Sequence, residues 1–441
     1  MRINTKKLLE AGKARGIEPY SIGFATSKST SVSVFNGEVE SQEIGTTQDI
    51  GARGLFNGRI GSFSTDAIDN KTSSLLAEKV LESAQFGKED KAEHFFKGGL
   101  RYSPLKKPAS PFVPATLKEL REFALALSKK VQAADKRVSK VEVGVSMDEI
   151  DGKKFNSLGL KCSSSMKCYS GAISVIAEDE DKEPRSSYES FISFTSLEEL
   201  SAQADKVLDK VIHESVDFFK SKPAKSANYK AVLDPSVIKS LLPFYISHCN
   251  AKSVQKHLSV LEGKIDTEIM SKCITIKHTP HILSLSASAF DADGYPTKDF
   301  TLVSKGVLKT YFYSLETALE EKIESNGCAS GDGNGSYKVL TVTPGKNSKE
   351  ELFAKMKNGL YITDVSGLNS GINGQTLDFS LPCQGYIIKD GKIDRAISMN
   401  VVAGNLKDLF SSVIALGSDT DERGSIITPS MLVKKIIVSG N

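Results

Sequence analysis

Hydrophobic and polar residues alternate over long stretches of the first part of the chain, in YSIGFATS (20–27), VSVFNGEVES (32–41) and DIGARGLFNGRIGSFS (49–64). A period of two predicts strands with one face turned to a core. Asn36-Gly37 and Asn57-Gly58 separate or interrupt these runs, and Asn-Gly is the dipeptide that two-residue hairpin turns favour, so an antiparallel sheet is expected. The period lengthens toward 3.6 in 5–15, 70–86, 116–133 and 196–220, which predicts helices. SPLKKPASPFVPA (103–115) carries Pro104, Pro108, Pro111 and Pro114; such spacing suits neither a helix interior nor a central strand and predicts a loop or strap. Strands are expected again near 139–148, 153–160 and 168–178, with the acidic run EDEDKE (178–183) as a solvated turn.

The polar stretch KSKPAKSANYK (220–230) is the best boundary, giving an N-terminal α+β domain over 1–222 and a β-rich C-terminal domain over 223–441. Beyond it, YKAVLDPSVIKSLLPFYISHC predicts a strand, a helix start at Asp234-Pro235, and a helix that Pro243 kinks or breaks. Strand pairs are expected in LSLSASAFDADGYPTKDFTLVSKGVLKTYFYS (283–314), KVLTVTPG (338–345), NGLYITDVSG (358–367) and MLVKKIIVSG (431–440). Within 365–406, the glycines and asparagines of 367–374 predict tight turns and Asp378-Phe379-Ser380 opens a strand. Lys389-Asp390-Gly391-Lys392 closes a hairpin, and 401–406 leads into a helix. Together these elements predict an α+β fold: an N-terminal antiparallel sheet flanked by helices, then a mostly antiparallel, barrel-like β domain with short helices.

Composition narrows the class. The 441 residues are 39% hydrophobic, enough for sizeable cores, and no apolar run approaches membrane-spanning length. The amphipathic start MRINTKKLLEAGKARG has no cleavage signal, so a cytoplasmic protein is expected. A net charge of +3, with basic and acidic residues interleaved, does not favour nucleic acid. The cysteines at 162, 168, 249, 273, 328 and 383 form no CxxC pair and read as reduced, mostly buried thiols.

Several ordered segments resemble the TldD/PmbA family, once called modulators of DNA gyrase and associated with zinc metalloproteolysis. They are VSVFNGEVES, IGARGLFNGRIGSFST (50–65), FNSLGL (155–160) and the whole of 365–406. The resemblance spans most of the chain and is strongest to the subunit type called PmbA or TldE, which lacks the H-E-x-x-x-H helix and distant Cys of the catalytic subunit. Alignment through SVQKH (253–257) puts Pro243, Phe244 and His248 at the first His, the Glu and the second His of that motif. Thr428, in DERGSIITPSML (421–432), falls at the ligating Cys. Leu377 stands where many members have Gly.

Zinc hydrolysis needs about three ligands, an open position for water and a base. Pro243 has no donor atom and Phe244 no basic one. Residues five apart on a regular helix also sit roughly 140° apart, so the motif needs a widened turn that a lone His248 does not repay. Other groupings read as structural. His213-Glu214-Ser215-Val216-Asp217 imitates a zincin helix without a third ligand. His278 and His281 sit three apart in strand-like sequence around Pro280 and point to opposite faces. His257 and His94 read as surface residues. Cys249, beside His248, diverges from it by about 100° on a helix and is not expected to be an activated nucleophile. CASGDGNGSYK (328–338) lacks a P-loop ending and is expected to be a mobile loop. Ser380 has no nucleophile elbow around it.

The resemblance therefore implies a subunit without its own zinc or catalytic residues. It would act in proteolysis of peptides or unfolded polypeptides with a TldD-like partner that carries the zinc, or self-associate as a dimer. Asp378, Phe379 and Ser380 are expected to border a peptide cleft whose exposed strand edge accepts a peptide by strand addition. The alternative is a stand-alone peptide-binding or scaffold homodimer, or a hydrolase using unrecognised ligands.

Overall fold

The computed structural model describes residues 4–440. Two compact units divide the chain. The first comprises 1–102, 107–216 and 293–296, and the second 103–106, 217–292 and 297–441.

In the first unit the strands β1 (Tyr20–Phe35), β2 (Glu38–Phe56), β3 (Arg59–Thr65), β4 (Val138–Asn156), β5 (Lys161–Glu178) and β6 (Pro184–Ser193) form one antiparallel sheet in the order β3-β2-β1-β4-β5-β6. Both Asn-Gly turns adopt the positive φ angles that a two-residue hairpin requires: Asn36 48°, Gly37 81°, Asn57 50° and Gly58 74°. Four helices accompany the sheet: α1 (Thr5–Lys13), α2 (Thr72–Gln85), α3 (Leu117–Ala134) and α4 (Leu197–Val216). Thr116 and Glu119 close α3 with a reciprocal capping box. Ile22, Ile50, Ala52 and Phe155 share a core with Leu8, Leu76 and Val80 of α1 and α2. The register gives the opposite face of β1 to Ser21, Gly23, Ala25, Ser27, Ser29, Ser31 and Ser33, all small.

Two strand expectations need correction. The runs 139–148 and 153–160 are one strand, β4, because Asp151-Gly152 stays in register with Ala25 and Thr26 instead of turning. The reversal comes at 157–160, where the Asn156 side-chain oxygen accepts from the backbone N–H of Leu158 and Leu160, each 3.0 Å away. β6 was not anticipated: its buried positions include Ser187, Glu189 and Ser193, so its pattern is not visibly hydrophobic.

In the second unit β7 (Ala227–Leu233) leads through Asp234 into α5 (Pro235–Ile246). Asp234 caps α5, accepting from the Ser236 N–H at 3.1 Å, with Pro235 at the first helical position. β7 pairs in parallel with Gly359–Val365 and antiparallel with Met431–Ser439. Asp378–Lys389 and Lys392–Asn405 complete the ring, since the latter also pairs with Met431–Ser439; the five strands close a barrel. A smaller sheet joins Ile276–His278, Phe300–Ser304, Val307–Leu308, Leu340–Val342 and Ile426–Ile427. The segment 283–299 is turns and irregular chain rather than the expected strand, its polar atoms satisfied locally, as where Thr297 Oγ1 donates to Ser288 O at 2.7 Å. The glycine-rich loop is a short hairpin, Ala329–Gly331 with Asn334–Gly335, tied to Asn250 by a 2.9 Å bond from Gly335 N–H. Its expected mobility is not what this anchoring provides.

Candidate functional site

α5 carries Pro243 and Phe244, two of the positions aligned with the zinc motif, and its composition fixes its orientation. Val237, Ile238, Leu241, Leu242, Tyr245 and Ile246 are buried. Tyr245 stacks on Phe410 with ring centroids 5.9 Å apart and donates its hydroxyl to Ile269 O at 2.7 Å. Pro243 does not break the helix at once: three more residues follow before a single 3-10 turn, Ser247–Cys249. Phe244 packs, half-buried, against the core.

His248 lies in that turn and is 6% exposed. Its Nε2 is 2.8 Å from Gly374 O and its Nδ1 is 3.3 Å from Val260 N. A carbonyl can only accept and a backbone N–H only donate, so these contacts select the neutral Nε2–H tautomer and use both ring nitrogens. His248 and the signature stretch, far apart in sequence, therefore meet. Thr428 is fully buried and engaged elsewhere: its Oγ1 donates to Pro429 O at 3.2 Å, and it bridges Asp421 in a short antiparallel contact. Lys239, one helical turn before Pro243, reaches this loop. Its ammonium is 2.8 Å from Asp421 and 2.6 Å from Arg423 O. Burial would raise the Asp421 carboxyl, but hydrogen bonds from Arg423 and the charge of Lys239 hold it far below the usual carboxylate range.

Asp378, Phe379 and Ser380 begin a barrel strand, but not at a free edge. Asn405, Gly404 and Ala403 pair with them on one side, while Ile372 bridges Phe379 and Asn373 N–H donates to Asp378 O on the other. Strand addition at Asp378 and Phe379 is thus obstructed, because the strand is already paired on both sides there. Asp378 accepts from Asn405 Nδ2 at 2.9 Å and Thr376 Oγ1 at 2.7 Å, and these bonds lower its pKa. Asn405 in turn caps the helix Leu406–Ser411. Phe379 is buried.

The other histidines separate by environment. His278 is fully buried, with Nδ1 donating to Lys298 O at 2.9 Å and Nε2 accepting from Lys338 N–H at 3.2 Å; burial pushes its pKa down to about 4. His281 contacts Thr297 Oγ1 at 3.1 Å. Glu214 accepts from Ser187 and pairs with Lys210, and Asp217 accepts from Tyr386, so the zincin-like helix is structural. Cys249 is fully buried and its thiol is pushed up by burial, opposite to nucleophile activation. His257 is exposed and pairs with Glu262. His94 is not a surface residue: its side chain is 12% exposed and its Nδ1 lies 2.5 Å from Asp90 Oδ1. Asp90 also pairs with Arg53, beside Asp293. This group escaped the sequence reading because Asp90 and His94 fall in an irregular segment. Only the alternate position of Arg53 in IGARGLF marked that side of the sheet.

Among the described residues, no group of three or more His, Cys, Asp or Glu is arranged to hold a metal ion. No helix among them is long and apolar enough to cross a membrane.

Comparison with known proteins supplies the family context. Three family models match in order: PmbA/TldA metallopeptidase domain 1 over 20–84, the central domain over 110–214 and the C-terminal domain over 226–440. The metalloprotease PmbA of Escherichia coli O157:H7 is 25% identical over 99% of this chain and 95% of its own. A PmbA homologue of Buchnera aphidicola is 27% identical over 72% of this chain and 70% of its own. A Thermotoga maritima protein described as a modulator of DNA gyrase superposes with a TM-score of 0.86 at 28% identity, covering 98% of this chain and 99% of its own. TldE of Thermococcus kodakarensis shares the fold, with a TM-score of 0.82 at 18% identity and 99% of each chain covered.

Proposed function

The chain belongs to the PmbA/TldD metallopeptidase family, and from that premise we propose that it is the metal-free subunit of a zinc-dependent peptidase assembly acting on peptides or unfolded polypeptides. The observation that carries this reading is the state of His248. Both of its ring nitrogens are spent on backbone groups, at Gly374 and Val260, so a zinc ion would have to break one bond to gain a single ligand. Pro243 and Phe244 add no donor, and the buried hydroxyl of Thr428 is a poor substitute for a thiolate. The residues at the family's metal positions do not fit zinc, and no catalytic step is assigned to them. In this reading the chain contributes binding and architecture, while a partner with an intact H-E-x-x-x-H helix contributes zinc.

Elemental analysis of the purified chain after dialysis against a weak chelator tests the first half: near-zero zinc is expected, and about one zinc per chain would overturn it. Co-expression with a family member carrying H-E-x-x-x-H tests the second. A stable complex whose peptidase activity needs both chains is expected; an active partner indifferent to this chain would refute the assembly.

A further inference from the structure

The helix-free face of the first unit's sheet holds, toward its β3 side, a cavity of about 490 Å³. Its size falls within the range of small-ligand sites. The floor is made of small side chains brought together by register: Gly23 lies opposite Gly51 and Lys154, and Gly51 opposite Ser64. The space above Gly23 is open to at least 4 Å, and a Cβ on Gly51 would meet only Ser64 Cβ at 3.6 Å and Phe63 O at 3.9 Å. Phe96, backed by Tyr295 at a centroid separation of 4.9 Å, gives the cavity an aromatic wall.

The charged groups are ordered rather than scattered. Arg53 lies with its guanidinium 5.1 Å from the centre of the Phe95 ring, 3.0 Å from Asp90 and 3.8 Å from Asp293. Asp90 also holds His94, which with Lys154 and Asp293 lines the space. Burial would raise the Asp90 carboxyl, but His94, Lys91 and Arg53 lower it to about 2, which keeps it ionised. Two cations, Arg53 and Lys154, and one carboxylate, Asp293, line the space, and a second carboxylate, Asp90, pairs with Arg53. A polyphosphate or other dense anion would meet cations already offset by carboxylates, and no helix N-terminus lines the space. A ligand bearing one positive and one negative end matches this balance, because each end finds an opposite charge without leaving another buried and unpaired.

We infer that this cavity binds a small zwitterion of the amino-acid or dipeptide class, with its carboxylate toward Arg53 and Lys154, its ammonium toward Asp293 and an apolar side chain against Phe96. The inference rests on the first unit alone and is independent of the zinc question.

Calorimetric titration of the intact chain with the dipeptide Ala-Phe tests it, alongside N-acetyl-Ala-Phe and Ala-Phe-amide. Saturable binding of Ala-Phe is expected, weakened roughly tenfold or more by capping either end. Asp293→Asn should weaken Ala-Phe while leaving the acetylated peptide unchanged, and Lys154→Ala should do the converse with the amide. Absence of Ala-Phe binding, or binding unaffected by both caps, would overturn the proposal. The capped-peptide comparison uses the unmutated protein, so it stands even if a variant fails to fold.

Discussion

His248 donates its Nε2–H to the carbonyl oxygen of Gly374, 2.8 Å away, and so ties the end of α5 to the loop that precedes the Asp378 strand. Replacing it with alanine removes the partner of the Gly374 carbonyl and of the Val260 N–H, both on exposed residues that water can reach. We expect His248→Ala to lower stability by about 1 to 2 kcal/mol in urea unfolding, roughly the net worth of two hydrogen bonds. Zinc content should not change. An unaltered unfolding midpoint would show that the contact is dispensable.

His278 supplies a pH signature. Burial lowers its pKa from 6.5 to about 4, so the folded state favours the neutral ring. Its contribution is fully present above the unfolded value and is lost as pH falls toward the folded one. Between pH 6.5 and 4 the unmodified protein should lose on the order of 3 kcal/mol more than a His278→Gln variant. Parallel stability curves for the two proteins would contradict this.

Asp421 stands between two cations, Lys239 at 2.8 Å and Arg423 at 2.9 Å. Its depressed pKa means that the cluster stabilises the fold above the ordinary carboxylate range and ceases to do so as pH falls through the folded value. Asp421→Asn should cost about 2 to 3 kcal/mol near neutrality, a figure discounted for the partial exposure of both cations. The deficit should shrink in acid; denaturant melts at two pH values would show whether it does.

Leu377 is both strained and buried. Its φ is 67°, in the left-handed region, and its side chain is 1% exposed. Glycine would relieve roughly 1 to 2 kcal/mol of backbone strain but remove a packed side chain worth about 2 to 5. Packing should win, so Leu377→Gly is expected to be less stable by about 1 to 3 kcal/mol. A stabilised variant would mean that strain is the larger effect.

Local rules carried the sequence reading furthest where one residue type does one job. Asn36-Gly37, Asn57-Gly58 and Asp390-Gly391 all form the expected turns, and Asp234-Pro235 starts its helix. The α+β class and the family likewise follow from alternation and ordered segments. What stayed hidden depends on tertiary pairing. Asp378 and Phe379 could not be known to lack a free edge until Ile372 and Asn405 were seen beside them. His94 could not be known to face Asp90 and Arg53, because no periodicity relates an irregular segment to a strand across the sheet. β6 stayed unseen because its buried positions are largely small and polar.

Barrel closure sets a timetable for biosynthesis. The last stave, Met431–Ser439, seals the ring by joining β7 to Lys392–Asn405, and Ser226 clasps Gly440 with a 3.0 Å bond at the seam. A ribosome finishes β7 long before it makes the stave that protects it. Until that strand emerges, β7 and Lys392–Asn405 each present an unpaired edge to the surrounding proteins. Nascent chains halted before residue 431 should therefore be the form most prone to aggregate and most dependent on chaperones, whereas emergence of Met431–Ser439 covers both edges in one event.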